Sequence, residues 1–317
     1  MKLHEDEQLF VELVAIAAQT IGLPQVYVEK DYWVTKALKH LSEFTRADEV
    51  VFKGGTSLSK AYRLIDRFSE DIDLAIFSEG MSDNAGKKLL KQVETAATQG
   101  LIYLEDDIRQ SKGSKFRKTV YQYPRSIEET NFGQASPELL IEVNAFTNPE
   151  PFEKCELQTL IAEFLVNQNR QDIVDQYNLH GFLINVLSVK RTLVEKILGV
   201  VKDSYDEDPV AKLSDRIRHL YDICLILKHD EYRDFIISSD FKRLSDICIT
   251  DEKSDFLSHS NCFEKPLKEA PIFSEFDNWS TSLGSTYTGV FSDLVYRDLP
   301  SMEEVKQTLS FIKANLF

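Results

Sequence analysis

Residues 51–77 hold the side chains whose types and spacing suit chemistry on phosphates. Val51-Phe52-Lys53-Gly54-Gly55-Thr56-Ser57-Leu58-Ser59-Lys60 is followed by Arg67-Phe68-Ser69-Glu70-Asp71-Ile72-Asp73-Leu74. A short apolar strand leads into the Gly-Gly-Thr-Ser turn, and a helix follows with Leu58, Ala61, Tyr62 and Ile65 at one-face spacing. A second strand then carries Asp71 and Asp73. Residues two apart on a strand share a face, so both carboxylates point one way while Ile72, Leu74 and Ile76 point to the core. Adjacent carboxylates repel unless a cation lies between them. Mg²⁺ suits them, because it takes oxygen ligands and is typically held by one or two carboxylates plus substrate phosphates. Glycine lets the backbone approach a phosphate, and the N–H groups at a helix start attract anions. A lone Gly-Gly is ordinarily a turn and a lone Asp-x-Asp a solvated pair. Their ordered combination points to phosphoryl or nucleotidyl transfer.

The elements that must position this stretch are legible around it. Residues 5–21 read as an amphipathic helix with Leu9, Phe10, Leu13, Val14 and Ala17 on one face, stopped by Gly22 and Pro24. A second helix runs from Val26 or Val28 to about Leu41; Tyr32, Trp33 and Leu38 are expected to pack it onto the sheet, with Lys30 and Asp31 as candidates to line the site. After a polar loop, residues 86–99 form a helix, with Leu89, Leu90, Val93 and Ala97 inward, and residues 101–108 and 115–123 read as strands. The most basic part of the chain surrounds the second of these strands: Arg109, Lys112, Lys115, Arg117, Lys118 and Arg125. It is either edge-strand protection by charge or a contact surface for RNA phosphates or a nucleotide. Residues 139–146 form an apolar strand whose one charge is Glu142. A carboxylate there calls for a salt bridge or a metal ion. Asn148-Pro149-Glu150-Pro151 marks a boundary, and the chain beyond turns helical. Phe182–Leu187 reads as a short strand or a helix start, Ser188 caps the helix from Val189, and a last helix starts at Ser301 with Glu304 three residues on.

The core stretch resembles the polymerase-β-type minimal nucleotidyltransferases and, more closely, the AbiEii/AbiGii toxin family, whose members read F-K-G-G-T-S-L-S-K and then R-F-S-E-D-I-D-L. Phe52–Lys60 and Arg67–Leu74 match that pattern nearly letter for letter. Glu29-Lys30-Asp31-Tyr32-Trp33-Val34-Thr35 resembles the family phrase that precedes the nucleotide-binding strand. The resemblance implies an α/β (α+β) nucleotidyltransferase core with a mixed sheet, residues 1–150, followed by a mostly helical C-terminal domain, residues 151–317, that completes the active site. It implies that Asp71, Asp73 and Glu142 hold one or two Mg²⁺ ions, that Lys53, Gly54, Gly55, Thr56, Ser57, Arg67 and Ser69 bind the nucleotide and its phosphates, and that Glu142 is the carboxylate placed to help deprotonate the nucleophile. The helix Val189–Val201 resembles the family's second motif and places Lys196 near the triphosphate. Arg216-Ile217-Arg218-His219-Leu220-Tyr221-Asp222 resembles the third motif; His219 replaces the first aspartate of its commoner form, and Asp222 matches the second. Arg218 and Asp222 share a helix face, so a structural ion pair explains them as well as catalysis does.

The implied activity is transfer of NMP from an NTP to a hydroxyl by a toxin of a toxin–antitoxin or phage-defence pair, with tRNA 3′ ends as the acceptor and an antitoxin as partner. Three rival readings stand beside it: nucleotidylation of a protein side chain, transfer to a small molecule, and a non-catalytic NTP-binding protein. The 317 residues, 43% hydrophobic, suffice for two domains with sizeable cores. The net charge of −15 argues against broad nonspecific nucleic-acid binding and leaves a local basic groove, residues 109–125, as the RNA candidate. Cys155, Cys224, Cys248 and Cys262 are far apart and read as free thiols. No stretch approaches a membrane span and the acidic N-terminus lacks a signal-peptide core, so the expected location is the cytoplasm.

Overall fold

The structure is a computed structural model and describes residues 1–128, 132, 135–255 and 262–316. The chain divides into two compact units, one of Met1–Ala61 with Phe68–Leu187 and the other of Tyr62–Arg67 with Ser188–Phe317.

The first unit opens with α1 (Glu7–Ile21), which starts where the Asp6 carboxylate accepts from Leu9 N and stops at Gly22 in the left-handed region. It buries Phe10, Leu13, Val14 and Ala17 of the stripe its period predicts, and leaves Leu9 half-buried. α2 (Gln25–Ser42) buries Tyr32, Trp33 and Leu38 as expected, and also Glu29 and Lys30. Then come β1 (Val50–Lys53), α3 (Gly54–Lys60), β2 (Ile72–Ile76), α4 (Asp83–Ala97), β3 (Ile102–Tyr103), β4 (Ser111–Lys112), β5 (Phe116–Gln122), β6 (Leu139–Asn144), β7 (Phe152–Leu157), α5 (Leu160–Asn167), α6 (Gln171–Gln176) and β8 (Phe182–Leu187).

The eight strands among the described residues join one mixed sheet in the order β3-β5-β6-β2-β1-β8-β7, with β4 also on β5. β1 runs antiparallel to β2 and parallel to β8, and β2 runs parallel to β6. β2 buries Ile72, Leu74, Ala75 and Ile76 completely. β7 and β8 lie past the boundary read at residue 150, yet they extend this same sheet. The two prolines lie between β6 and β7; they do not end the unit. Helix α3 is shorter than its spacing suggested: it begins at Gly54 itself and ends at Lys60, before Ala61, Tyr62 and Ile65.

The described part of the second unit is mainly helical: α7 (Val189–Asp203), α8 (Pro209–Asp215), α9 (Ile217–Ile226), α10 (Asp230–Ile237), α11 (Ser239–Asp255), α12 (Pro271–Ser274), α13 (Phe276–Thr288) and α14 (Met302–Asn315). Ser188 caps α7 by accepting from Arg191 N, and Ser301 with Glu304 forms a reciprocal capping box on α14. Segment 62–67 is held here by backbone pairing of Arg67 with Val295, by Tyr296 N donating to Asp66 O at 3.0 Å, and by Asp66 N donating to Tyr221 Oη at 3.2 Å. Among the described residues no single helix is long and apolar enough to cross a membrane; α1 and α2 meet that test only as a pair bent by 111°.

Candidate active site

The sheet sets four charged residues side by side. Lys53 on β1 is the register partner of Asp73 on β2, Asp73 is the partner of Glu142 on β6, and Glu142 is the partner of Lys118 on β5. Directly paired residues share a face, so a row Lys53–Asp73–Glu142–Lys118 crosses four adjacent strands. Its two inner members are carboxylates and its outer members are cations. Lys118 Nζ lies 2.6 Å from Glu142 Oε1. The salt bridge that sequence reading held open for Glu142 is therefore present, and the same residue is also the sheet neighbour of Asp73. Asp71 stands one residue before the first residue of β2, so it precedes the strand on which it was expected.

Gly54 sits at the corner between β1 and α3 with φ +81°. A Cβ placed there would lie 2.1 Å from Asp73 Oδ2. The glycine is thus required twice, by its left-handed backbone and by the carboxylate packed against it. Thr56 is buried and its Oγ1 lies 2.9 Å from Ser69 Oγ. Ser57 is fully buried and donates its hydroxyl to Gly54 O at 2.8 Å. The hydroxyls of the Gly-Gly-Thr-Ser turn thus brace the turn and join it to the loop that carries Asp71.

Helix α2 also holds that loop. Tyr27 stacks on Phe68 with ring centroids 4.0 Å apart. Lys30, completely buried, pairs with Glu70 at 2.6 Å. Burial pushes the Lys30 ammonium down and the Glu70 carboxyl up, and the charge of each partner opposes both shifts. Asp31 pairs with Lys60, the last residue of α3, at 2.5 Å. Sequence reading passed over these partners. The available signal was the unbroken run Glu29-Lys30-Asp31 in a helix otherwise apolar and aromatic, since three consecutive charges on such a helix cannot all face water.

In the second unit, Asp222 on α9 is fully buried. Arg67 grips it with two bonds, Nε to Oδ1 at 2.7 Å and a terminal nitrogen to Oδ2 at 2.8 Å, and Lys196 Nζ lies 2.7 Å from Oδ2. Burial opposes the charge, but Arg67 and Lys196 outweigh it and hold the Asp222 carboxyl below the usual range. The ion pair weighed for Arg218 and Asp222 is replaced by this arrangement, in which two cations share one carboxylate.

The basic stretch also differs from expectation. β5 is not an edge: β6 flanks it on one side, β3 and β4 on the other. Its cations are engaged within the protein: Arg109 with Asp107 and Glu138, Lys112 with the Tyr103 hydroxyl, Arg117 with Glu94, and Lys118 with Glu142. Arg125 lies over the Phe132 ring at 4.7 Å. The four cysteines are free thiols.

Among the described residues no three His, Cys, Asp or Glu side chains are grouped to hold a metal ion. The donor set still fits Mg²⁺. Its ligands are oxygens, two carboxylates are sheet neighbours, and Mg²⁺ is commonly held by one or two carboxylates with phosphates completing its shell. Lys118 supplies a counter-charge for Glu142.

A family model described as the nucleotidyl transferase AbiEii toxin of a type IV toxin–antitoxin system matches residues 36–273. Among solved structures, the chain is similar to MenT4, a nucleotidyltransferase toxin from Mycobacterium tuberculosis H37Rv. The TM-score is 0.51 and the identity 15%, over 94% of this chain and 89% of that one. No curated protein sequence matches the chain.

Proposed function

This chain belongs to the AbiEii family of nucleotidyltransferase toxins of type IV toxin–antitoxin systems, and from that premise we propose that it transfers NMP from an NTP to the 3′ end of tRNA in a Mg²⁺-dependent reaction. The observation that carries the site assignment is the register that makes Asp73 and Glu142 neighbours between two lysines.

In this reading Asp71, Asp73 and Glu142 would hold the metal. Mg²⁺ bound there supplies charge neutralisation for the triphosphate and lowers the pKa of an attacking hydroxyl. The acceptor hydroxyl gives up its proton to Glu142 as its oxygen bonds to the α-phosphorus, the bond from that phosphorus to the bridging oxygen breaks, and pyrophosphate leaves with the β- and γ-phosphates. The backbone at Gly54 and Gly55, with Thr56, Ser57 and Ser69, keeps the turn open to phosphate oxygens. Lys53 faces the same row. Lys196 and Arg67 are both held by one buried carboxylate, and we assign the two cations to the triphosphate. Asp222 then orients both cations.

Incubation of the protein with total tRNA, Mg²⁺ and each α-labelled NTP in turn tests the acceptor. The expected result is label on tRNA from one nucleotide, absent from Asp71→Ala/Asp73→Ala protein. Label on a protein band instead would replace the tRNA reading with protein nucleotidylation.

A further inference from the structure

Three consecutive residues of α2 direct their charges to different segments of the first unit. Glu29 Oε1 accepts from Ser126 N at 2.6 Å and Ile127 N at 3.4 Å. Asp31 takes Lys60 Nζ at 2.5 Å and Leu160 N at 2.8 Å. Between them, Lys30 Nζ donates to Glu70 Oε2 at 2.6 Å and to Ser136 O at 2.5 Å, and Ser136 N donates back to Glu70 Oε1 at 2.7 Å. The Lys30 side chain is 1% exposed and that of Glu70 11%.

The two loops joined by this ammonium lead into the carboxylate strands. Glu70 immediately precedes Asp71 and strand β2, and Ser136 lies three residues before β6, the strand of Glu142. β2 and β6 are parallel neighbours with Ile72 opposite Ile141. Parallel neighbours begin at the same end of a sheet, so Lys30 ties together the N-terminal ends of both strands. A buried ion pair is a poor source of net stability, since well-packed apolar residues often do as well or better. Its place at the start of both strands calls for another role.

We propose that Lys30 is a positioning residue for nucleotidyl transfer: it holds the chain leading into the Asp71/Asp73 strand against the chain leading into the Glu142 strand, so that the carboxylates converge on one Mg²⁺. The inference rests on the assignment of those carboxylates to Mg²⁺. Residues that orient metal ligands typically cost 10–100-fold in metal affinity or activity when replaced.

The test measures thermal midpoint and the rate of α-label transfer to total tRNA against Mg²⁺ concentration. It compares wild type, Lys30→Met, Lys30→Met/Glu70→Leu and Glu70→Gln. The double variant removes both charges and is expected to regain much of the midpoint lost in Lys30→Met. Both are expected to need about 10–100-fold more Mg²⁺ for half-maximal rate, or to lose that factor in rate. If Lys30→Met does not fold, Glu70→Gln, which keeps the size of the side chain, carries the test with a shift of about tenfold in the same direction. Wild-type Mg²⁺ dependence in the folded variants, or activity returning together with stability in the double variant, would overturn the proposal. Wild-type protein showing no Mg²⁺-dependent transfer would remove the site assignment itself, an outcome visible before any variant is compared.

Discussion

Gly54 carries two constraints in a residue without a side chain. Gly54→Ala would force an L residue to φ +81° and set its Cβ 2.1 Å from Asp73 Oδ2. The expected outcome is a loss of more than about 1 kcal/mol in unfolding free energy and, because Asp73 must move, a loss of transfer activity of about 100-fold. Denaturant melts beside rate measurements check this; a variant with wild-type rate would show that Asp73 need not hold its place. At this scale much of the candidate site was legible. Asp71, Asp73, Glu142 and the glycine turn stand out because their types are costly or unusual where they occur. Lys118 stood out only as part of a basic stretch, because its pairing with Glu142 depends on the register of two strands 24 positions apart. The reason for Gly54 was also only half legible: the turn called for glycine, while the approach of Asp73 exists only in three dimensions.

At the scale of elements, α2 is the support of the site. Its aromatic residues were readable as core, but its charges were not readable as struts, because the partners of Asp31 lie 29 and 129 positions away. Asp31→Ala would leave Lys60, whose side chain is 7% exposed, without its carboxylate and Leu160 N without its acceptor. The expected cost is about 3–5 kcal/mol, read as a lower denaturant midpoint at unchanged slope. A loss below about 1 kcal/mol would mean that the pair contributes no more than a surface bridge. The strand order was the other hidden element-scale fact. β7 and β8 come after the double proline and still join the first sheet, so the composition break at residue 150 marked a turn, not the end of the unit.

For the whole molecule, three histidines respond to acid in the same direction. Burial pushes His4 down to about 4, with Lys36 adding to the shift. Burial lowers His40, again with Lys36, and lowers His219, with Lys196 adding to it. In the unfolded chain these rings take up protons near pH 6.5. A base with a depressed folded pKa contributes stability that is present above its unfolded value and lost as pH falls toward its folded value. The thermal midpoint is therefore expected to fall between pH 6.5 and 4, and to fall less in His4→Gln protein; a midpoint constant over that range would contradict it. Function at this scale turns on whether the charged row across the sheet carries the transfer chemistry. The rate of α-label transfer against Mg²⁺ concentration, for wild type, Asp73→Asn and Glu142→Gln, decides it. Removing either carboxylate is expected to lower the rate by about 100-fold or more, since a catalytic metal supplies several kcal/mol, and to raise the Mg²⁺ needed. An Asp73→Asn protein with the wild-type rate and Mg²⁺ dependence would contradict that role for the row.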